Sequence, residues 1–281
     1  MAPSVLDRLA LRHRSGRWAA LLHEAHVRAY RIAAVRPVLR RFHTERTPER
    51  IVFVVGCYNS GTTLVRDLLR AHPDTSGPPV EGDQLTTEIG DLEDGGWPRG
   101  LFGNADTLVA AERTRAIDPS RLLRDWSPWI RSKAVLVEKS ISNSLRMPAL
   151  RDAFPGVRFV WVLRDPHEVA DGIQRRSRPA SVGEYSRDFL LGQWEFINRA
   201  IAGAFSETDT TVVGYGHLLE TPVEVTRRLF SFLGLPDVEI REGENGMDVG
   251  GAPVPLRGSS RIHPGEPVET WSSWPDRAEV E

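Results

Sequence analysis

Ile51-Val-Phe-Val-Val-Gly-Cys-Tyr-Asn-Ser-Gly-Thr-Thr-Leu64 is an apolar run that breaks into a glycine-bounded loop followed by hydroxyl residues. A short, nearly continuous apolar run reads as a strand buried on both faces, and the residues after it read as loop and helix. Gly56 and Gly61 have the G-x4-G spacing of a loop whose amides cradle phosphate, but Thr62 stands where the lysine of a nucleoside-triphosphate loop belongs. The cradle is kept while the cation for a γ-phosphate is not. This predicts a phosphate-bearing ligand other than ATP.

The same alternation continues along the chain. Apolar runs at Ile51–Val55, Ala134–Val137, Phe159–Leu163 and Thr211–Val213 predict parallel strands with helical stretches between them. Val182, Tyr185, Phe189, Trp194, Ile197, Ile201 and Phe205 recur at helical spacing and read as core rather than as a base-stacking platform. Thr221 and Pro222, followed by Val225, Leu229, Phe232 and Gly234, predict a capped helix with proline first and a glycine stop. Residues 77–104 are rich in Gly, Pro and Asp and predict an irregular loop over the mouth of the sheet, where substrates of open α/β folds bind. Residues 118–129 are expected to help shape that mouth. The expected fold is α/β, a three-layer αβα sandwich around a central parallel sheet spanning residues 51–281. A basic helical extension, residues 1–50, precedes it with 11 arginines against 4 acidic residues. It could lie on an anionic membrane surface as a peripheral contact, but packing on its own domain explains the pattern better.

Composition narrows the function classes. The 281 residues carry a net charge of -2, which argues against bulk nucleic-acid binding, where counterion release calls for a basic excess. Cys57 is the single cysteine, so an internal disulfide and a cysteine-based metal cluster are excluded, and a reducing compartment fits. No apolar run approaches the roughly 18 residues that span a bilayer, and the first residues lack a secretory pattern, so the expected location is cytoplasmic. Lys133 and Lys139 are the only lysines.

Three groups of residues, the loop's own among them, set a context. Gly56 and Asn59-Ser-Gly-Thr-Thr-Leu64 are followed by Leu68-Leu69-x-x-His-Pro73. Arg158 to Arg176 is an apolar strand, then Arg164-Asp165-Pro166, then a helix. Val213-Gly-Tyr-Gly-His-Leu-Leu-Glu-Thr-Pro222 runs on to Phe232-Leu-Gly-Leu-Pro236. In this order and spacing, they resemble sulfotransferases that use 3'-phosphoadenosine 5'-phosphosulfate (PAPS), over most of residues 51–236. The resemblance implies the P-loop-like sulfotransferase fold, PAPS as co-substrate without a metal, and a small-molecule, glycan or lipid hydroxyl as acceptor.

The resemblance also assigns roles. Asn59, Ser60, Gly61, Thr62 and Thr63 would hold the 5'-phosphosulfate, with the amides of residues 60–63 and the helix N-terminus aimed at it. Arg164 would grip the 3'-phosphate, Tyr215 would lie beside the adenosine, and Arg257 and Gly258, with Arg261, faintly match the family's C-terminal cofactor loop. Lys139, in Val137-Glu-Lys-Ser140, matches the lysine that stabilises the sulfonate. Cytosolic members carry a histidine two residues beyond that lysine, and here Ile141 occupies the position. The base expected instead is Glu81, in Ser76-Gly-Pro-Pro-Val-Glu81, which would accept the acceptor's proton. Two positions depart from the family. Asn59 replaces the loop Lys or Arg that meets the bridging oxygen, and Gly172 replaces a serine at the 3'-phosphate. A degenerate P-loop phosphotransferase and a non-catalytic PAPS-binding homologue are the alternatives, the first disfavoured by Thr62 and by Asp165, which the Arg-Asp-Pro turn explains.

Overall fold

The computed structural model describes residues 46–90, 92, 99–100, 105–131, 134–177, 183–243 and 246–256, with scattered positions between 25 and 43. Its elements are β1 (Arg50–Gly56), α1 (Thr62–Ala71), β2 (Thr75–Ser76), α2 (Ala105–Arg113), α3 (Pro119–Trp126), β3 (Val135–Glu138) and α4 (Met147–Ala153). There follow β4 (Arg158–Leu163), α5 (Pro166–Arg176), α6 (Arg187–Ala202), β5 (Thr210–Gly214), α7 (Tyr215–Glu220), α8 (Pro222–Leu233), β6 (Ile240–Gly243), β7 (Gly246–Val249) and β8 (Ala252–Pro255). Strands β1 to β5 form one sheet in the order β2-β3-β1-β4-β5, with every pairing parallel. Strand β1 is therefore central, and the chain leaves it towards β3 on one side and β4 on the other. Such a switch point opens a crevice at the strands' C-terminal ends.

The uninterrupted apolar runs have a simple cause: both faces of the sheet are covered. Ile51, Phe53, Val55, Phe159 and Trp161 join one core with Trp126 of α3, Leu150 of α4, Ile173 of α5 and Ile197 and Ile201 of α6. Val52, Val54, Val160 and Val162 join the other, with Val65, Leu68 and Leu69 of α1 and Val225, Leu229 and Leu233 of α8. The three-layer α/β sandwich is the one expected. In the helical stripe, Tyr185, Ile197 and Ile201 are buried, as core residues should be, while Val182 lies outside the described residues. No described helix is long and apolar enough to cross a membrane.

Two local expectations change. Helix α8 begins at Pro222 and stops at Gly234 in the left-handed region (φ 66°), but Thr221 does not cap it. The Thr221 hydroxyl donates back to His217 O at 3.1 Å, closing α7 instead. Proline at the first position brings no N–H, which leaves one fewer donor for a cap to satisfy. The second change lies after residue 237, where no pattern was legible. There β6, β7 and β8 form an antiparallel sheet, and Met247, Val249 and Val254 extend the α1–α8 core.

A buried ion pair ties the loop-rich side to this frame. Arg146 Nε donates to Glu112 at 2.6 Å with both side chains almost fully buried, and Arg115 reaches the same carboxylate at 2.6 Å. Arg146 Nη2 also donates to Gly90 O at 2.8 Å. Burial alone would raise the Glu112 carboxyl, but hydrogen bonds and charge from Arg115 and Arg146 outweigh it and hold it below the usual carboxylate range. A group lowered in this way stabilises the fold above its unfolded pKa and loses that contribution as pH falls through the folded value. We expect Arg146→Ala to cost about 2–3 kcal/mol in urea denaturation at neutral pH, because it removes one of the two guanidinium partners of a buried carboxylate and leaves Arg115 alone to hold it. Glu112→Gln should flatten the acid limb of the stability curve; an unchanged acid limb contradicts this role.

Candidate functional site

The phosphate loop is fixed by backbone constraints that only particular residues meet. At Gly56 (φ 150°) a Cβ would lie 2.6 Å from Val162 O on the neighbouring strand. Ser144 Oγ accepts from Gly56 N at 3.0 Å and donates to Gly56 O at 3.1 Å, so one hydroxyl clamps the root of the loop. Asn59 takes a left-handed conformation (φ 59°), one that asparagine tolerates better than most residues. Ser60 turns both its amide (3.2 Å) and its hydroxyl (2.6 Å) back on Cys57 O. Gly61, at φ 99°, precedes α1 without any side-chain cap, which leaves the first-turn amides of α1 suited to an anion. Thr62 is buried and Thr63 exposed. Cys57 is buried, and desolvation pushes its thiol up to about 12, so it serves as packing.

The ends of β4 and β5 close against this loop. Asp165 caps α5, accepting from His167 N at 2.9 Å and Glu168 N at 3.0 Å, with Pro166 next in the chain. Arg164 is thereby held at the strand end, and Trp194 Nε1 donates to its carbonyl at 3.0 Å. Its guanidinium pairs with Glu168 at 2.8 Å, donates to Asn59 O at 3.1 Å and lies 4.3 Å over the Tyr215 ring. Tyr215 is buried against the loop, so close that a Cβ at Gly61 would sit 2.2 Å from its ring. Gly172 is also buried, and a Cβ there would lie 3.4 Å from both Cβ and Nδ2 of Asn59. Asn59 Oδ1 accepts from Arg176 Nη1 at 3.4 Å, while Asn59 Nδ2 is buried with no hydrogen-bond partner.

The end of β3 carries the second cluster. Lys139 and Glu81, 58 residues apart, form a direct ion pair in which Lys139 is the more deeply buried. Beneath them Glu138 accepts from Gly82 N at 2.7 Å, from Asn143 Nδ2 at 2.6 Å and from the Ser140 hydroxyl. Burial pushes the Glu138 carboxyl up, against the lowering effect of the Ser140 and Gly82 bonds. Within residues 118–129, expected at the acceptor mouth, α3 ends on Trp126, whose Nε1 donates to Gly82 O at 3.0 Å and so braces the Glu81 segment. Ile141 is buried.

Asn59, Gly61, Arg164, Gly172 and Tyr215 thus meet in one cluster, and Glu81 and Lys139 in another, both at the C-terminal edge of the sheet. Arg257 and Gly258 lie outside the described residues. Sequence reading did not single out Arg176 or Glu138. For Arg176 the available signal was a cation one helical turn after Gly172; for Glu138 it was a carboxylate ending an otherwise apolar strand.

Comparison with known proteins supplies a context. Residues 51–239 match a family model described as the sulfotransferase family. The chain is 26% identical over 215 residues to the nodulation protein NoeE of Sinorhizobium fredii, covering 66% of this chain and 50% of that protein. It is 24% identical over 197 residues to a putative protein-tyrosine sulfotransferase of Caenorhabditis briggsae, covering 66% of each. The chain thus spans between half and about two-thirds of the length of these curated relatives. Among solved structures, the sulfotransferase STF1 of Mycobacterium tuberculosis aligns with a TM-score of 0.49 at 16% identity, over 74% of this chain and 73% of that one.

The contact between Gly61 and Tyr215 makes a specific prediction. Gly61→Ala should destabilise the protein by about 2 kcal/mol or more, from positive-φ strain plus the clash with the ring. In a Tyr215→Ala background the same substitution should cost measurably less, leaving only the strain. Thermal denaturation of the four proteins reads this coupling, and strict additivity would show that the ring does not constrain position 61.

Proposed function

The chain belongs to the sulfotransferase family, and we propose that it moves a sulfonate from PAPS, in line, to a hydroxyl of a carbohydrate, glycolipid or secondary metabolite. The observation that carries this reading is Asn59 Nδ2, a buried donor without a partner, in a loop that leads into an uncapped helix. Burying an unsatisfied donor costs about 1–3 kcal/mol, and an oxygen-rich anion at the loop would remove that cost. Asn59, Gly61, Thr62 and Thr63, together with Ser60, would hold the 5'-phosphosulfate. Arg164 would meet the 3'-phosphate, and Tyr215 would flank the nucleotide while it braces Gly61. When bound, PAPS supplies an activated sulfonate carrying less charge than a transferring phosphoryl group, which suits a loop without the triphosphate-binding lysine.

The remaining chemistry falls to Lys139 and Glu81. Lys139 neutralises charge that develops on the sulfonate oxygens, and its ammonium has donors to spare beyond the bond to Glu81. Glu81 takes the proton of the acceptor hydroxyl at its carboxylate. Glu138 acts on neither directly. It fixes the Gly82 amide and the residues flanking Lys139, so that base and cation reach the edge of the sheet together. The lone, buried Cys57 supports a reducing compartment, consistent with a cytoplasmic enzyme.

Sulfonate transfer from labelled PAPS to a panel of hydroxyl acceptors tests the assignment. Lys139→Ala and Glu81→Gln should each lower transfer by about a hundredfold or more while 3',5'-ADP affinity is kept. Wild-type turnover in Glu81→Gln removes that residue as the base.

A further inference from the structure

Exposed apolar side chains are concentrated ahead of β1. Among the described residues, the large hydrophobics left exposed are Ile32, Val38 and Phe42, at 54%, 55% and 81% accessibility. All three fall within residues 32–42, whereas the sheet and its helices bury theirs in two cores. Apolar side chains scattered singly over a surface need no explanation, but a cluster marks a contact site.

Packing of this segment on its own domain accounts for Leu39, which is partly buried against the core that contains Phe53 and Trp161. It does not account for the neighbours of Leu39. Leu39 N donates to Val35 O at 3.1 Å, Arg41 N to Val38 O at 3.2 Å and Phe42 N to Leu39 O at 3.0 Å. These bonds turn Leu39 inwards while Val38, Arg41 and Phe42 stay exposed.

Charge indicates the partner. Residues 25–43 contain five arginines and no Asp or Glu, in a chain whose net charge is -2, so the basic excess is local. Arg28 and Arg41 are exposed. A surface both apolar and cationic complements the head-group layer of an anionic bilayer, where apolar side chains enter the acyl boundary and guanidinium groups stay with the lipid phosphates. Single-stranded nucleic acid fits less well, because Ile32 and Val38 offer no ring on which a base could stack.

We propose that the face bearing Ile32, Val38, Arg41 and Phe42 docks this protein on an anionic lipid bilayer. The association is peripheral: the three apolar side chains supply the contact with the acyl boundary, and the arginines of residues 25–43 supply the attraction to the head groups. It is independent of which nucleotide the phosphate loop binds.

Flotation of the full chain with vesicles of phosphatidylcholine alone, or of phosphatidylcholine mixed with phosphatidylglycerol, tests this docking. The protein should float with the anionic vesicles and not with the neutral ones, and added salt should weaken the association. Phe42→Ser and Arg41→Glu should each lower the partition coefficient by about tenfold or more, the first through lost apolar contact and the second through reversed charge. Both side chains are exposed, so thermal midpoints should stay close to wild type. Equal flotation with both kinds of vesicle, flotation with neither, or wild-type partitioning in either variant overturns the proposal. If Phe42→Ser instead converts a dimer to a monomer in light scattering and no vesicle binding is seen, a second copy of the chain covers this face and the lipid assignment is wrong.

Discussion

A Cβ at position 61 would lie 2.2 Å from the Tyr215 ring, and that contact sets the ends of three strands at once. Tyr215 begins α7 directly after β5, Gly61 leads from β1 into α1, and Arg164 at the end of β4 lies 4.3 Å over the same ring. A cation over an aromatic ring contributes about 0.5–2 kcal/mol depending on its desolvation. Its larger effect here is geometric. Arg164 placed on the ring can also reach Asn59 O, so loop, strand ends and guanidinium form one rigid cluster. Donors fixed in advance need not reorganise when charge arrives, which is how such a site gains electrostatic strength.

The other half of the site depends on a buried carboxylate. Glu138 costs stability as a charge in the interior, and three donors offset that cost by surrounding it. In return it fastens the Glu81 segment to the end of β3, across 56 residues of chain. Ser144, a little further along, clamps Gly56 and links this half to the phosphate loop. Glu81, Lys139 and the phosphate loop are thus positioned by side chains beneath them.

Features encoded by local physics were legible in the sequence. The two-sided burial of β1 and β4 leaves an apolar run, a proline start and glycine stop bound α8, and Gly56 and Gly61 mark backbone that few residues can adopt. Asp165 likewise read correctly as part of the turn into α5, where it is the cap. What escaped was encoded by packing between distant segments. The contact of Asn59 with Gly172 and Arg176 joins positions more than a hundred residues apart, so the two departures from the family pattern looked like separate losses. Strands β6 to β8 are short and interrupted by Gly250, Gly251, Pro253 and Pro255, which hides their alternation. Thr221 was read as a cap from its residue type, but a hydroxyl between two helices can serve either one, and it serves α7.

The central question is which nucleotide the Gly56–Thr63 loop binds. Calorimetry of the wild-type protein with 3',5'-ADP in the presence of a chelator, set against ATP with excess magnesium, addresses this most directly. A site built from amides, Asn59 and arginine side chains should bind 3',5'-ADP without metal and show little affinity for magnesium–ATP. Magnesium-dependent ATP binding, with no heat from 3',5'-ADP, would contradict it.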